Sequence, residues 1–145
     1  MTDHGQVRDT YVAAIQHDKV DLAGDELLVG VVRRPHSWFH GQVDENRPAL
    51  APPEDLLDEF KERASTLEAE GRSDRAAHNE AWDAVDFDAR YREYLAESTD
   101  AREAMTDLTE RLAAGDDVVL VCYENTDEKR CHRTLLREEL EPEPR

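Results

Sequence analysis

Lysine, cysteine and long apolar runs are scarce in this chain. Only three of its 18 basic residues are lysines, at Lys19, Lys61 and Lys129. No run approaches the ~18 apolar residues of a membrane span, and the N-terminal MTDHGQVRDT lacks the apolar region of a secretory signal. Two cysteines, Cys122 and Cys131, are too few for a disulfide scaffold. We therefore expect a cytoplasmic protein with no membrane partner.

Positive charge is equally scarce. The 35 acidic residues outnumber the 18 basic ones and leave a formal net charge of -17. Such a surface repels phosphate backbones, which argues against general nucleic-acid binding and against anionic membranes. Abundant Asp and Glu with little Lys is typical of proteins from a high-salt cytoplasm, where ions screen the self-repulsion. We therefore hypothesise that the protein is halophilic.

The motifs of the common cofactors are also missing. The chain has neither a G-x-G-x-x-G run nor a P-loop, so no cofactor is expected. Zinc would have to use Cys122, Cys131 and His132, but the paired C-x-x-C spacing is absent and no fourth ligand is evident. We predict no metal site.

What is present indicates an α/β fold. Residues 27–32 and 118–122 are continuous apolar runs, the pattern of strands buried on both faces of a parallel sheet. Residues 7–15 are rich in β-branched and aromatic side chains and are predicted as a further strand. The prediction is a compact three-layer sandwich with a small, largely parallel sheet flanked by helices, forming one domain over residues 1–145 with a frayed acidic C-terminal tail.

Amphipathic helices occupy the centre of the chain. Residues from Pro53 to Gly71 form one helix, and Ser73 is the predicted cap of a second that leads to Trp82. Residues 87–95 form a third, and a capping box of Asp100 and Glu103 is predicted to begin a fourth. A last helix is expected from about residue 131 to 140.

The segments FDARYREYL (87–95) and GDDVVLVCYENTDEKRCHRTLL (115–136) carry a family resemblance. A late strand that ends in Cys122, followed by Cys131, His132 and Arg133 at a helix start, resembles the family called domain of unknown function 488. The earlier VGVVRRP (29–35) matches that family more loosely, because members often have an Asp where this chain reads GVV. The resemblance implies a compact α/β fold and little about activity.

Basic and aromatic residues cluster where both apolar strands end. Arg33, Arg34, His36 and Trp38 follow the earlier strand, and Arg133 lies in the first turn of the last helix. The carboxyl ends of parallel strands converge at the edge where α/β sheets bind ligands, and a helix start favours anions. We therefore predict a pocket for a small anionic, nucleotide-like ligand, with Trp38 stacking a base or closing the pocket.

The roles of the cysteines and of His132 remain open at the level of sequence. Cys131 is predicted either as an active thiol at a helix start or as a packing residue, and Cys122 as a core residue. His132 is interpreted as an orienting group and not as a base for Cys131, because adjacent helical residues point about 100° apart. Cys131 and Arg137 have the C-x5-R spacing of cysteine phosphatases. Those enzymes need a glycine-rich loop between the two residues, and this chain has none there, so we reject a phosphatase.

Three functions follow from these residues. The first is binding of the anionic ligand, with or without a reaction in which Cys131 and His132 are catalytic. The second is a non-enzymatic interaction module whose Cys-His-Arg cluster is structural. The third is a redox switch in which Cys122 and Cys131 form a reversible disulfide. The sequence does not indicate an oligomeric state.

The charge balance generates one testable prediction. We expect the free energy of unfolding to rise between about 0.1 M and about 2 M KCl, because added ions screen the repulsion among the excess carboxylates. Urea denaturation at each KCl concentration measures this. A free energy of unfolding that stays constant or falls over the same range would contradict the halophilic hypothesis.

Overall fold

The computed structural model describes most of the chain, and its described residues are 5–17, 22, 24–33, 35, 37–122 and 131–140. The predicted tail at residues 141–145 lies outside them. Within the described residues, the first element of secondary structure is a strand at Val7–Tyr11 and the last is a helix at His132–Leu140.

Four strands of the described chain form one parallel sheet. They are β1 (Val7–Tyr11), β2 (Leu27–Gly30), β3 (Glu45–Asn46) and β4 (Val118–Cys122). Their order across the sheet is β1-β4-β2-β3, and every pairing is parallel. β4 has a strand on each side, and all five of its residues are buried, so both faces of this central strand are covered. The predicted α/β sandwich with a parallel sheet is confirmed.

Six α-helices and two short 3-10 helices complete the described structure. The 3-10 helices are Ser37–Gly41 and Pro48–Leu50, and the α-helices are α1 (Val12–Gln16), α2 (Glu54–Ala69), α3 (Asp74–Ala84), α4 (Phe87–Glu97), α5 (Thr99–Ala113) and α6 (His132–Leu140). Among the described helices, none is long and apolar enough to cross a membrane.

Several predicted boundaries differ from the structure. The strand predicted over 27–32 ends at Gly30, the last residue of β2. The strand predicted over 7–15 stops at Tyr11, and the chain continues as the helix α1. At the end of α1, the His17 N–H donates a helical hydrogen bond to the Ala13 carbonyl. The predicted capping box is also wrong, because Ser98 caps α5 and accepts a hydrogen bond from the Ala101 N–H at 3.3 Å. By contrast, the predicted cap of α3 at Ser73 is confirmed.

The aromatic residues of α2, α3 and α4 pack together beside the sheet. Trp82 and Phe87 stack with ring centroids 3.8 Å apart, and Phe60 meets both edge-on. Such contacts add to the apolar area that these large side chains bury. This aromatic cluster holds the three helices in place along one side of the carboxyl edge.

The carboxyl ends of β2 and β4 lie side by side. Gly30 pairs with Val121, and the backbone ladder continues one residue further, from the Val31 N–H to the Val121 carbonyl at 3.0 Å. Cys122 therefore ends its strand next to Val31, and α6 begins at the same edge. The predicted convergence of the two strand ends is confirmed.

Gly30 permits a close approach at this edge. A Cβ built on Gly30 would lie 2.4 Å from the Phe39 ring and 2.6 Å from the Asn46 Oδ1. Asn46 in turn holds the backbone of Val32, accepting from its N–H at 3.1 Å and donating to its carbonyl at 2.9 Å. The lack of a side chain at Gly30 therefore lets β3 hold the segment that follows β2.

We predict that Gly30→Ala lowers the free energy of unfolding by about 1–3 kcal/mol, because the added methyl group overpacks Phe39 and displaces Asn46. Gly41→Ala is the matched control. Gly41 ends the nearby 3-10 helix, and a Cβ there meets no atom within 4 Å. Urea denaturation of both variants in the same buffer measures the difference, and equal effects would contradict the packing argument.

Candidate functional site

A pocket of about 240 Å³ opens at the carboxyl edge of the sheet. Three sequence-predicted residues line it together, namely Cys131, His132 and Arg33, and Cys122 joins them. The opposite wall consists of side chains from α2, α3 and α4 and holds the aromatic residues Phe60, His78, Trp82 and Phe87 together with Lys61.

The two cysteines meet at the base of the pocket. Both are thiols, and the Cys122 Sγ lies 2.7 Å from the Cys131 Sγ. Burial raises the pKa of Cys122 well above its ordinary value. The hydrogen bond to Cys131 raises it further, and so does the negative charge that Cys131 carries when it is ionised. Arg133 and His132 oppose this shift without cancelling it. Cys122 therefore keeps its proton, and either thiol can donate in the hydrogen bond between the two sulfurs.

His132 connects Cys131 to the strand edge. The His132 Nε2 lies 2.7 Å from the Val31 carbonyl oxygen, and the His132 Nδ1 lies 3.6 Å from the Cys131 Sγ. A carbonyl oxygen only accepts hydrogen bonds, so Nε2 carries the proton and the neutral ring presents its Nδ1 lone pair to the thiol. A thiol, an imidazole and a carbonyl that orients the imidazole thus lie next to one another, the arrangement in which a base can activate a nucleophile.

The interpretation that helical geometry separates these two side chains is wrong. It assumed that both Cys131 and His132 belong to the helix, whereas α6 begins at His132 and Cys131 precedes it. The 100° rule applies only between residues with helical backbone angles. Cys131 precedes the helix and is free of this constraint, and its sulfur lies 3.6 Å from the Nδ1 of its neighbour.

Burial also fixes the charge state of His132. Desolvation lowers the pKa of His132 below its ordinary value of 6.5, and the positive charges of Arg133 and Arg33 act in the same direction. Cys122 and the hydrogen bond to Val31 oppose the shift. The imidazole is therefore neutral near pH 7 and has the protonation state that a general base needs.

Arg133 does not face the pocket in the way that its position in the first helical turn suggested. It is 1% exposed, its Nη1 donates to the Cys122 Sγ at 2.8 Å, and its Nε donates to the Asp9 Oδ2 at 3.1 Å. Burial alone would lower the pKa of Arg133, but Cys122, Cys131 and Asp9 raise it, so the guanidinium stays charged. Its predicted role as an anion ligand stays a prediction. In this structure its guanidinium contacts the Cys122 sulfur, and Arg133 is not among the residues that line the pocket.

Asp9 is a site residue that sequence reasoning missed. It lies on β1, accepts from Arg133, and is also 3.3 Å from the Nε of Arg137 on α6. The two arginines supply opposite charge to a carboxylate that is only 13% exposed. The available signal was an acidic residue inside a predicted strand, where such residues are depleted.

Arg33 lies where it was predicted, at the pocket. Its Nε donates to the Pro52 carbonyl at 3.0 Å, and its Nη2 donates to the Ala51 carbonyl and to the Tyr94 hydroxyl. All three partners are uncharged. Among the described residues, the groups that hold this guanidinium in place therefore carry no negative charge, and its positive charge lies beside the pocket.

The other predicted ligand residues are not placed at the pocket by the structure. Arg34 and His36 lie outside the described residues. Trp38 is 47% exposed on the 3-10 helix and is not among the residues that line the pocket. Their predicted ligand roles stay predictions.

Aromatic surface comes instead from Phe60, Trp82 and Phe87. All three side chains are buried. That they also line a pocket depends on how α2, α3 and α4 are arranged around the carboxyl edge. Within the described ranges, no group of three or more His, Cys, Asp and Glu side chains is arranged to hold a metal ion.

Comparison with known families gives a match that spans most of the chain. The family model described as "Active DUF488-N3 subclade" matches residues 10–143. The chain belongs to the DUF488 family. The resemblance inferred from its sequence is thereby confirmed. Comparison with curated proteins and with solved structures gives no significant match for this DUF488 protein.

The state of His132 predicts how stability depends on pH. An unfolded chain binds a proton at this histidine as the pH falls through about 6.5, whereas the folded chain keeps it neutral to lower pH. Acid therefore favours unfolding of the wild type, by at most about 1.4 kcal/mol per pH unit for one proton.

His132→Gln removes this titration and keeps an amide donor for the Val31 carbonyl. We expect the wild type to lose stability relative to this variant as the pH falls from about 7.5 to about 5.5. Urea denaturation of both proteins along the pH series measures the difference. A difference that does not change with pH would show that His132 has the same pKa in the folded and unfolded chains.

Proposed function

We propose that this DUF488 protein is an enzyme that binds a small anionic molecule in the carboxyl-edge pocket and attacks it with the sulfur of Cys131. The observation that carries the proposal is the alignment of the Cys131 Sγ, the His132 ring and the Val31 carbonyl at the base of the pocket. The description of the matched subclade as active agrees with it.

His132 is the base of the proposed reaction. Its Nδ1 accepts the proton of the Cys131 thiol, and its Nε2–H stays bonded to the Val31 carbonyl, which keeps the ring in the required tautomer. Because the pKa of His132 is lowered, the ring is neutral in the resting state and its Nδ1 lone pair is available for the Cys131 proton during the reaction. Proton transfer of this kind typically contributes a factor of about 10²–10⁴ to the rate.

The charges around the pocket support an anionic substrate. Arg33 and Lys61 both line it, in a chain whose net charge is -17. Two cations beside a nucleophile in an acidic protein attract an anion locally, although the protein repels anions elsewhere. The aromatic wall of Phe60, Trp82 and Phe87 favours a substrate with a flat ring, as a nucleotide-like molecule has.

A non-enzymatic role would require the cluster to be structural only. The buried contact of Arg133 with Asp9 and Cys122 has that character, because it joins α6 to β1 and β4. It does not account for the side of Cys131 that faces the pocket. The reactivity of Cys131 therefore distinguishes the two functions.

The test compares alkylation of Cys131 by iodoacetate with alkylation by iodoacetamide, which has nearly the same size and no charge. We expect iodoacetate to be favoured relative to a model thiol, because the pocket cations attract its carboxylate. Lys61→Gln should lower the ratio of the two rates by about fivefold, the effect of one partly screened charge of about 1 kcal/mol. Peptide mass spectrometry identifies the modified cysteine.

Arg63→Gln is the matched control. It removes the same charge from the same helix, but Arg63 lines a separate depression with Glu59 and Glu62. We expect this variant to keep the wild-type ratio. Equal effects of the two variants would remove the argument for an anionic substrate. A Cys131 that alkylates no faster than the cysteines of the urea-unfolded chain would remove the argument for a nucleophile.

A further inference from the structure

We propose that Cys122 is a resolving cysteine. Cys131 reacts with a small disulfide and forms a mixed disulfide with one half of it. Cys122 then displaces that half and forms a Cys122–Cys131 disulfide. The inference rests on the proposed function, because it needs Cys131 as the first nucleophile. It adds a second catalytic residue and assigns a substrate class, a small anionic disulfide.

The two sulfurs are already in contact. Cys122 ends β4 and Cys131 immediately precedes α6, so the end of a buried strand and the start of a helix bring them within 2.7 Å. Both residues line the same pocket, so a group attached to Cys131 lies within reach of Cys122. Attack by Cys122 therefore needs little movement of either backbone.

The surroundings of the two thiols order their reactions. While Cys131 is a thiolate, its hydrogen bond and its charge hold the proton on Cys122. A group attached to Cys131 removes that negative charge. Arg133 remains, with its Nη1 2.8 Å from the Cys122 Sγ, and it stabilises the Cys122 thiolate. Modification of Cys131 thus activates Cys122.

The first step is attack on the disulfide. The Cys131 thiolate, whose proton has passed to His132, attacks one sulfur of R–S–S–R. The S–S bond of the substrate breaks, and the first R–S⁻ leaves with the electron pair and takes the proton from His132. Cys131 then carries the second R–S group as a mixed disulfide.

The second step releases the remaining group. The Cys122 sulfur attacks the Cys131 sulfur, the bond to the R–S group breaks, and the second R–S⁻ takes up the proton that Cys122 has lost. One R–S–S–R is reduced to two R–SH, and the two cysteines lose two electrons as they form their disulfide. A small external thiol or dithiol returns the pair to its reduced state.

The probe for this proposal is dithiobis(nitrobenzoate), an aromatic disulfide with two carboxylates that releases a coloured thiolate. It suits the aromatic wall and the pocket cations. We expect the full-length wild-type protein to release two equivalents of the coloured thiolate per chain, to retain none, and to contain a Cys122–Cys131 disulfide by peptide mass spectrometry. The first release should speed up with probe concentration, and the second, being intramolecular, should not.

Cys122→Ser gives the contrasting result. It should release one equivalent and keep the aromatic group on Cys131, since a hydroxyl cannot displace it. Circular dichroism verifies that this variant folds. If it does not fold, the retained groups and the Cys122–Cys131 disulfide of the wild type decide, because two independent thiols would also release two equivalents.

The outcomes separate the two proposals. A wild-type protein that releases one equivalent and keeps the group on Cys131 would overturn the resolving role and leave the proposed function intact. If both cysteines release the coloured thiolate slowly and at equal rates, Cys131 is not an activated nucleophile and the proposed function is overturned. A second release that depends on probe concentration would show two independent thiols and no exchange between them.

Discussion

The pairing of β4 between β1 and β2 is the constraint on which the site depends. It places the end of β4 beside Val31 on one side and Tyr11 on the other, so Cys122 meets residues from both neighbouring strands. Val31 supplies the carbonyl that orients His132. A register shift of one residue would turn every side chain of β4 to the opposite face and separate these groups.

A buried cation balances the groups behind the pocket. Removing the guanidinium of Arg133 from water is costly, and it is offset by Asp9 and by the sulfur of Cys122. The positive charge of Arg133 is therefore paired with these groups inside the protein. Arg33 plays the complementary part, because its partners among the described residues are uncharged and its positive charge lies beside the pocket. Two arginines near one histidine thus have different roles, which their burial and partners decide.

Much of the fold could be predicted because it follows from local patterns. The continuous apolar run at 118–122 is β4, and the stripe of Phe87, Tyr91 and Leu95 is the buried face of α4. The boundary at Tyr11 could not be predicted, because the local sequence of residues 7–15 allows a strand or the start of a helix. The strand ends where its partner β4 ends, at the pair of Tyr11 and Cys122. The capping box at Asp100 failed for a similar reason, since Ser98 was an equally suitable cap two residues earlier.

The candidate site was predicted in part. The sequence by itself determined that Cys131, His132 and Arg33 lie at one edge of a parallel sheet, because the ends of its two apolar strands must converge there. Only the tertiary structure decided what each does: the sulfur of Cys131 turned to His132, Arg133 turned inward to Asp9, and aromatic residues of three helices became a pocket wall. The physical reason is that spacing along a chain determines which residues share an edge. The direction of each side chain depends on partners contributed by distant segments, as Asp9 on β1 is for Arg133 on α6.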